Sequence, residues 1–298
     1  MLTTPSRRQF LAASAIATTG IPLTAHAQVK KTDAKSVPFK LGMVTYNTGA
    51  QWDLPTLLKV CKSTGIAAVE CRTTHKHGVE PSLSPAQRAE VKKQFAGSGV
   101  VFWGCGSTCE FHATDAAVVK TNIETCKKFV ELVHDLGGTG VKVRPNGLPK
   151  GVSTEKTLEQ IGKALIECGK AAEGFGVEIC VEVHGAGTQE PAHMKTIMEQ
   201  CGHKSVGLTW NSNPPDVKDG SVKGSFEMLK PWLKSCHIND LYKEHTGAYP
   251  YREFFGLLRE HGYDRYTMIE VGKTPPDVAT GEEFLRYYKA LWTELARG

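Results

Sequence analysis

The sequence is short of several things, and each shortage removes a class of function. Beyond its first residues it has no apolar run long enough to span a bilayer, which excludes a transmembrane helix there. It has no excess of charge suited to a nucleic acid or an anionic surface. Without residues 1–27, which carry Arg7 and Arg8 and no acid, 34 of the 36 basic residues face all 31 acidic ones, a net charge of +3. A disulfide framework is also missing, because the nine cysteines are dispersed along the chain. Cys71, Cys180 and Cys236 fall in apolar runs and read as small buried residues, and only Cys105 and Cys109 are spaced to invite pairing in an oxidising compartment. There is no low-complexity tract, coiled coil or second domain.

What is present begins with an export signal. Ser6-Arg7-Arg8-Gln9-Phe10-Leu11 resembles the twin-arginine motif, an apolar stretch runs from Leu11 to Leu23, and Ala25-His26-Ala27 offers a cleavage site. Thr18, Thr19 and Gly20 make that stretch too polar for a membrane anchor. Residues 1–27 are therefore expected to be a signal peptide, 28–38 a polar linker and 39–298 the folded domain, exported to the periplasm or secreted. The 271 residues after the signal suit one large α/β barrel.

From residue 39 one unit recurs: a short apolar run, a loop, then an amphipathic helix. The strands are read at Phe39–Asn47, Ala67–Thr73, Val100–Gly104, Gly140–Arg144, Val177–His184, Val206–Asn211, Ser235–Asp240 and Tyr266–Val271. Helices follow each one, for example Pro85–Ala96 behind the capping residue Ser84. Parallel strands need crossover helices, so eight such units predict a single-domain (β/α)8 TIM barrel.

In such barrels chemistry sits where strands end and βα loops begin. Those positions collect Glu70, His112, Arg144, Glu182, His184, Asn211, His237, Asp240 and Glu270. The fifth strand is the most telling. Glu182 and His184 leave it on one side, at the end of a run of Val, Ile and Cys. Ionisable groups in a strand buried on both faces are costly unless the site uses them.

The chain resembles the xylose-isomerase-like sugar isomerase/epimerase superfamily, which also includes abasic-site endonucleases. The resemblance rests on Val69-Glu70, Val181-Glu182-Val183-His184, the run Val206 to Asn211, Cys236-His237-Ile238-Asn239-Asp240, Gly262-Tyr263-Asp264 and Ile269-Glu270. It implies a divalent metal held by Glu182, Asn211, His237 and Glu270, with Mn²⁺ or Mg²⁺ favoured and Zn²⁺ or Co²⁺ next. Asn211 departs from the usual Asp and removes one negative charge. The implied reaction is proton transfer beside a carbonyl through an enediolate, with Glu182 and Glu270 as the catalytic pair. His184, His112, Arg144, Glu70 and Trp103 are the expected substrate contacts, Trp103 having barrel packing as its other reading.

The expected substrate is a small carbohydrate, with no nucleic-acid partner; a homo-oligomer is left open. The main alternative is a metal-dependent lyase or dehydratase acting on a keto-sugar or 3-keto-glycoside, since both reactions begin with the same proton abstraction. An abasic-site endonuclease and a non-catalytic sugar-binding barrel complete the set. Loop residues His75 and His77 read as solvated, Asp216 as a turn residue, and Arg252 as a surface ion pair.

Overall fold

The computed structural model describes residues 37–298. The expected signal peptide, residues 1–27, and linker residues 28–36 lie outside the described residues. The remainder forms strands β1 (Lys40–Val44), β2 (Ala68–Arg72), β3 (Val101–Glu110), β4 (Gly140–Arg144), β5 (Glu178–Glu182), β6 (Val206–Asn211), β7 (Leu233–Ile238) and β8 (Tyr266–Ile269). The helices are α1 (Leu54–Thr64), α2 (Pro85–Ser98), α3 (Ala116–Leu136), α4 (Thr154–Phe175), α5 (Pro191–Cys201), α6 (Lys223–Leu229), α7 (Lys243–Thr246), α8 (Tyr251–Glu260) and α9 (Val278–Arg297). All strands pair parallel in chain order and β1 closes on β8, so the molecule is the (β/α)8 barrel that the repeating unit predicts.

Local chemistry sets the boundaries. Ser84 caps α2 reciprocally with Gln87, and Pro85 fills the first helical turn, where its missing N–H costs nothing. Gly65, Gly137 and Gly176 end α1, α3 and α4 in the left-handed conformation. The short α7 was not legible in the sequence, and β3 runs six residues further than its apolar core, to Glu110. A register shift between Gly106 and Glu110 carries that extension, so Glu110 pairs with Arg144 at the mouth.

Two packed regions surround the strands. The large core lies between strands and helices, and a smaller one inside the barrel holds Val44, Ala68, Trp103, Cys180 and Met268. Trp103 belongs to this inner layer. A Cβ at Gly140 would fall 2.8 Å from its indole, so the missing side chain makes room for the ring. The expected stacking of Trp103 on a sugar is thereby corrected: period-two alternation gives the face of a strand but not the depth along the barrel. All nine cysteines are buried and free. Cys105 and Cys109 sit four residues apart on β3, beyond disulfide reach.

Candidate active site

The inner apolar layer ends where each strand's next inward residue begins. Two residues after Ala68, Gly140, Cys180 and Met268 come Glu70, Lys142, Glu182 and Glu270, and β7 adds His237. Alternation therefore stacks a charged layer directly on the apolar one, at the C-terminal end of the strands. Above it lies a cleft of about 170 Å³ lined by Tyr46, Arg72, Lys142, Arg144, Glu182, His184, Asn211 and Glu270.

Glu182, His237 and Glu270 each offer one atom to a common point, and those atoms lie within 4.8 Å of one another. Among the described residues this is the one such group of His, Cys, Asp or Glu. His237 Nδ1 lies 3.2 Å from Glu270 and 3.8 Å from Glu182. Its other nitrogen, Nε2, donates to Glu70 Oε2 at 2.9 Å. That bond orients the ring and turns Nδ1 toward the two carboxylates, buried and without a hydrogen-bond partner. Two carboxylates converging on one ring nitrogen call for a positive charge there, which a proton on Nδ1 or a bound cation supplies. Burial works against charging this ring, yet Glu270 and Glu70 outweigh it and hold its pKa well above the usual value. The same field suits a cation, and the donor set fits a divalent metal.

Glu70 is fully buried behind His237 and does not line the cleft, which corrects its expected substrate contact. A Cβ at Gly106 would fall 2.5 Å from Glu70 Oε1, so this glycine is the notch that lets the carboxylate stand there.

Lys142 is the residue that the sequence reading passed over. Only 2% exposed, it donates from Nζ to Glu182 Oε2 at 2.8 Å. Burial opposes its charge, but Glu182, Glu270 and Glu70 more than compensate and raise its pKa. Burial likewise opposes the Glu182 carboxylate, but Lys142 and then His237 override this and hold it well below the ordinary range. Asn211 stands beside the cluster as expected, its Nδ2 donating to Glu182 Oε1 at 3.2 Å.

A second network borders the cleft. Glu110 Oε1 accepts from Arg144 Nη2 and, at 2.6 Å, from Asn146 Nδ2. The Asn146 amide oxygen must then accept from His184 Nδ1, 2.9 Å away, which turns His184 Nε2 out as an acceptor. Asn146 holds a positive φ of 62° to do this. Arg144 Nε is buried and unpartnered. Arg144 and His184 thus line the cleft as expected. His112 does not, because the extended β3 brings Glu110 to the position beside Arg144. Arg72, with its guanidinium 5.7 Å from the centre of the Tyr46 ring, also lines the cleft and was not foreseen.

The β2 loop histidines are structural rather than solvated. His77 Nδ1 accepts from Val79 N–H, its Nε2 bonds the Arg72 carbonyl, and Thr45 Oγ1 bonds His75. Burial pushes the pKa of both rings down to about 4. Asp216 is a turn residue as read: its carboxylate accepts from Asn213 N–H and the Tyr249 hydroxyl, at 2.8 and 3.1 Å. Arg252 forms the surface ion pair expected of it, with Glu294 at 3.1 Å.

A model of the xylose isomerase-like TIM barrel matches residues 58–288. No curated protein matches the sequence significantly. Among solved structures, the fold is similar to a D-psicose 3-epimerase determined in the presence of D-fructose, at 16% identity over 87% of this chain and 100% of that one, TM-score 0.72. It is similar to the 3-keto-D-glucoside 4-epimerase of E. coli at 14% identity, covering 86% and 99%, TM-score 0.68. A third is the IOLI protein with a bound zinc atom, at 20% identity, covering 86% and 98%, TM-score 0.69.

Proposed function

The chain belongs to the xylose isomerase-like TIM barrel family, and from that premise we propose that it is a metal-dependent isomerase or epimerase of a sugar or keto-sugar. One observation carries the reading: the buried, unpartnered His237 Nδ1 aimed between Glu182 and Glu270. Glu182, His237 and Glu270 would hold the metal, and Asn211, which steadies Glu182, can lend its amide oxygen. When bound, a divalent cation supplies positive charge that acidifies the carbon beside a carbonyl.

The chain's own groups do the rest. Glu270 makes no side-chain hydrogen bond among the described residues, faces the His237 ring and lines the cleft, so its carboxylate is placed to take the proton from carbon. Glu182 flanks the same point from β5 and is the second member of the pair. His184 Nε2 accepts from a substrate hydroxyl, while Arg144 and Arg72 donate to oxygens further along the chain or ring. The epimerases of similar fold act on free ketoses and a keto-glucoside by name, which supports a small carbohydrate here. Export by the twin-arginine route would favour an unphosphorylated substrate and a folded, metal-loaded protein.

The test combines Mn²⁺ binding with a screen of ketohexoses and 3-keto-glucosides in D₂O. Solvent deuterium should enter the carbon next to the carbonyl, with an isomer as product. E182Q and E270Q should each lower turnover by about 100-fold or more while folding is kept. Loss of a β-substituent instead of isomerisation would establish the lyase alternative. Full turnover in either variant would remove that glutamate from the mechanism.

A further inference from the structure

Lys142 is an ammonium in the floor of the cleft, and its surroundings leave it incompletely used. It has three N–H donors, and among the described residues one bond, to Glu182 Oε2, is all that it makes. An ammonium buried for packing alone is expected to have its donors satisfied. Here the remaining donors lie at a surface that a ligand would cover, beside Glu270 and Asn211. Lys142 also takes Oε2 of Glu182, so that carboxylate can turn only Oε1 toward His237 and a cation.

We propose that Lys142 is a catalytic residue of this site: a built-in cation that donates a hydrogen bond to the substrate oxygen gaining negative charge, and that confines Glu182 to one oxygen toward the metal. This rests on the proton-transfer reading above. In the step, the C–H bond breaks, Glu270 gains the proton, and the electron pair moves through the new C=C bond onto the carbonyl oxygen. Lys142 keeps its protons throughout and supplies fixed positive charge where that oxygen develops negative charge. Holding its own cation beside the ligands, the site attracts a metal less strongly than the carboxylates alone would.

The two halves of the proposal predict opposite signs in one variant. K142M should bind Mn²⁺ about tenfold or more tighter than the wild type in calorimetric titration, because a nearby positive charge is gone. At saturating Mn²⁺ the same variant should bind acetohydroxamate, which chelates a metal as an anion through oxygens on adjacent atoms as an enediolate would, about tenfold or more weaker. A purely structural lysine would weaken both. K142R, which keeps the charge, should bind Mn²⁺ as the wild type does, and K142Q carries the same test if K142M misfolds by circular dichroism. Mn²⁺ binding that is weakened or unchanged in the charge-removing variants overturns the proposal alone. So does an undiminished affinity for acetohydroxamate, or none in the wild type. Failure of the wild type and every variant to bind Mn²⁺ overturns the metal-dependent function as well.

Discussion

Strand β5 carries a glutamate near each end, and the two live in opposite circumstances. Glu178, at the bottom of the barrel, accepts from Lys234 at 2.7 Å and from Arg265 on both oxygens. Burial opposes its charge, but Arg265 and Lys234 outweigh this and lower its pKa. That ion cluster is closed. At the mouth, four residues on, Glu182 belongs to a cluster that is open: Glu70 Oε1, His237 Nδ1 and Arg144 Nε are all buried and unpartnered. Both clusters mix acids and bases at the end of apolar strands. The difference between them is satisfaction, and unsatisfied groups around a cleft mark where a ligand completes the structure.

Three experiments would break or sharpen this contrast. The largest effect is expected for E70Q, which leaves the fold's interior volume intact but weakens the acceptor behind His237. Mn²⁺ affinity should fall by about 10–100-fold without a lower thermal midpoint. An unchanged affinity would mean that Glu70 does not govern the ring. E178Q should do the reverse, costing about 1–2 kcal/mol of stability by denaturant melt while Mn²⁺ affinity holds. A loss of metal binding there would show the two ends to be coupled.

The smallest effect concerns acid stability around the β2 loop. His77 has a folded pKa of about 4 because burial disfavours its charge. Between the ordinary histidine range and that value the unfolded chain binds the proton and the folded one does not. Stability should therefore fall as the pH drops from about 6.5 toward 4, and H77Q should flatten the slope in that window. Identical slopes in the two proteins would show that the ring is charged in the folded state.

The barrel was legible because eight apolar runs separated by helices admit few other arrangements, and Glu182, His237 and Glu270 were legible because charge at the end of such runs is costly. Lys142 was hidden by the same logic: it lies in the middle of the GVKVR strand, not at its end, and lysine is usually a surface residue. Only the register with β5 reveals that it reaches Glu182. Glu110 was missed because the apolar run of β3 stops before the shift that carries the strand to it. Trp103 was placed at the wrong depth, a coordinate that alternation does not encode, and Glu70 lies in the charged layer but behind His237.

The nine sealed thiols have a consequence of their own. While the barrel stays shut, an oxidant outside it reaches no thiol. Once it opens, nine reactive sulfurs are released together and can cross-link in wrong combinations before the strands find one another again. In an oxidising medium the lifetime of this protein is therefore set by how seldom it opens, and each opening carries the risk of being the last.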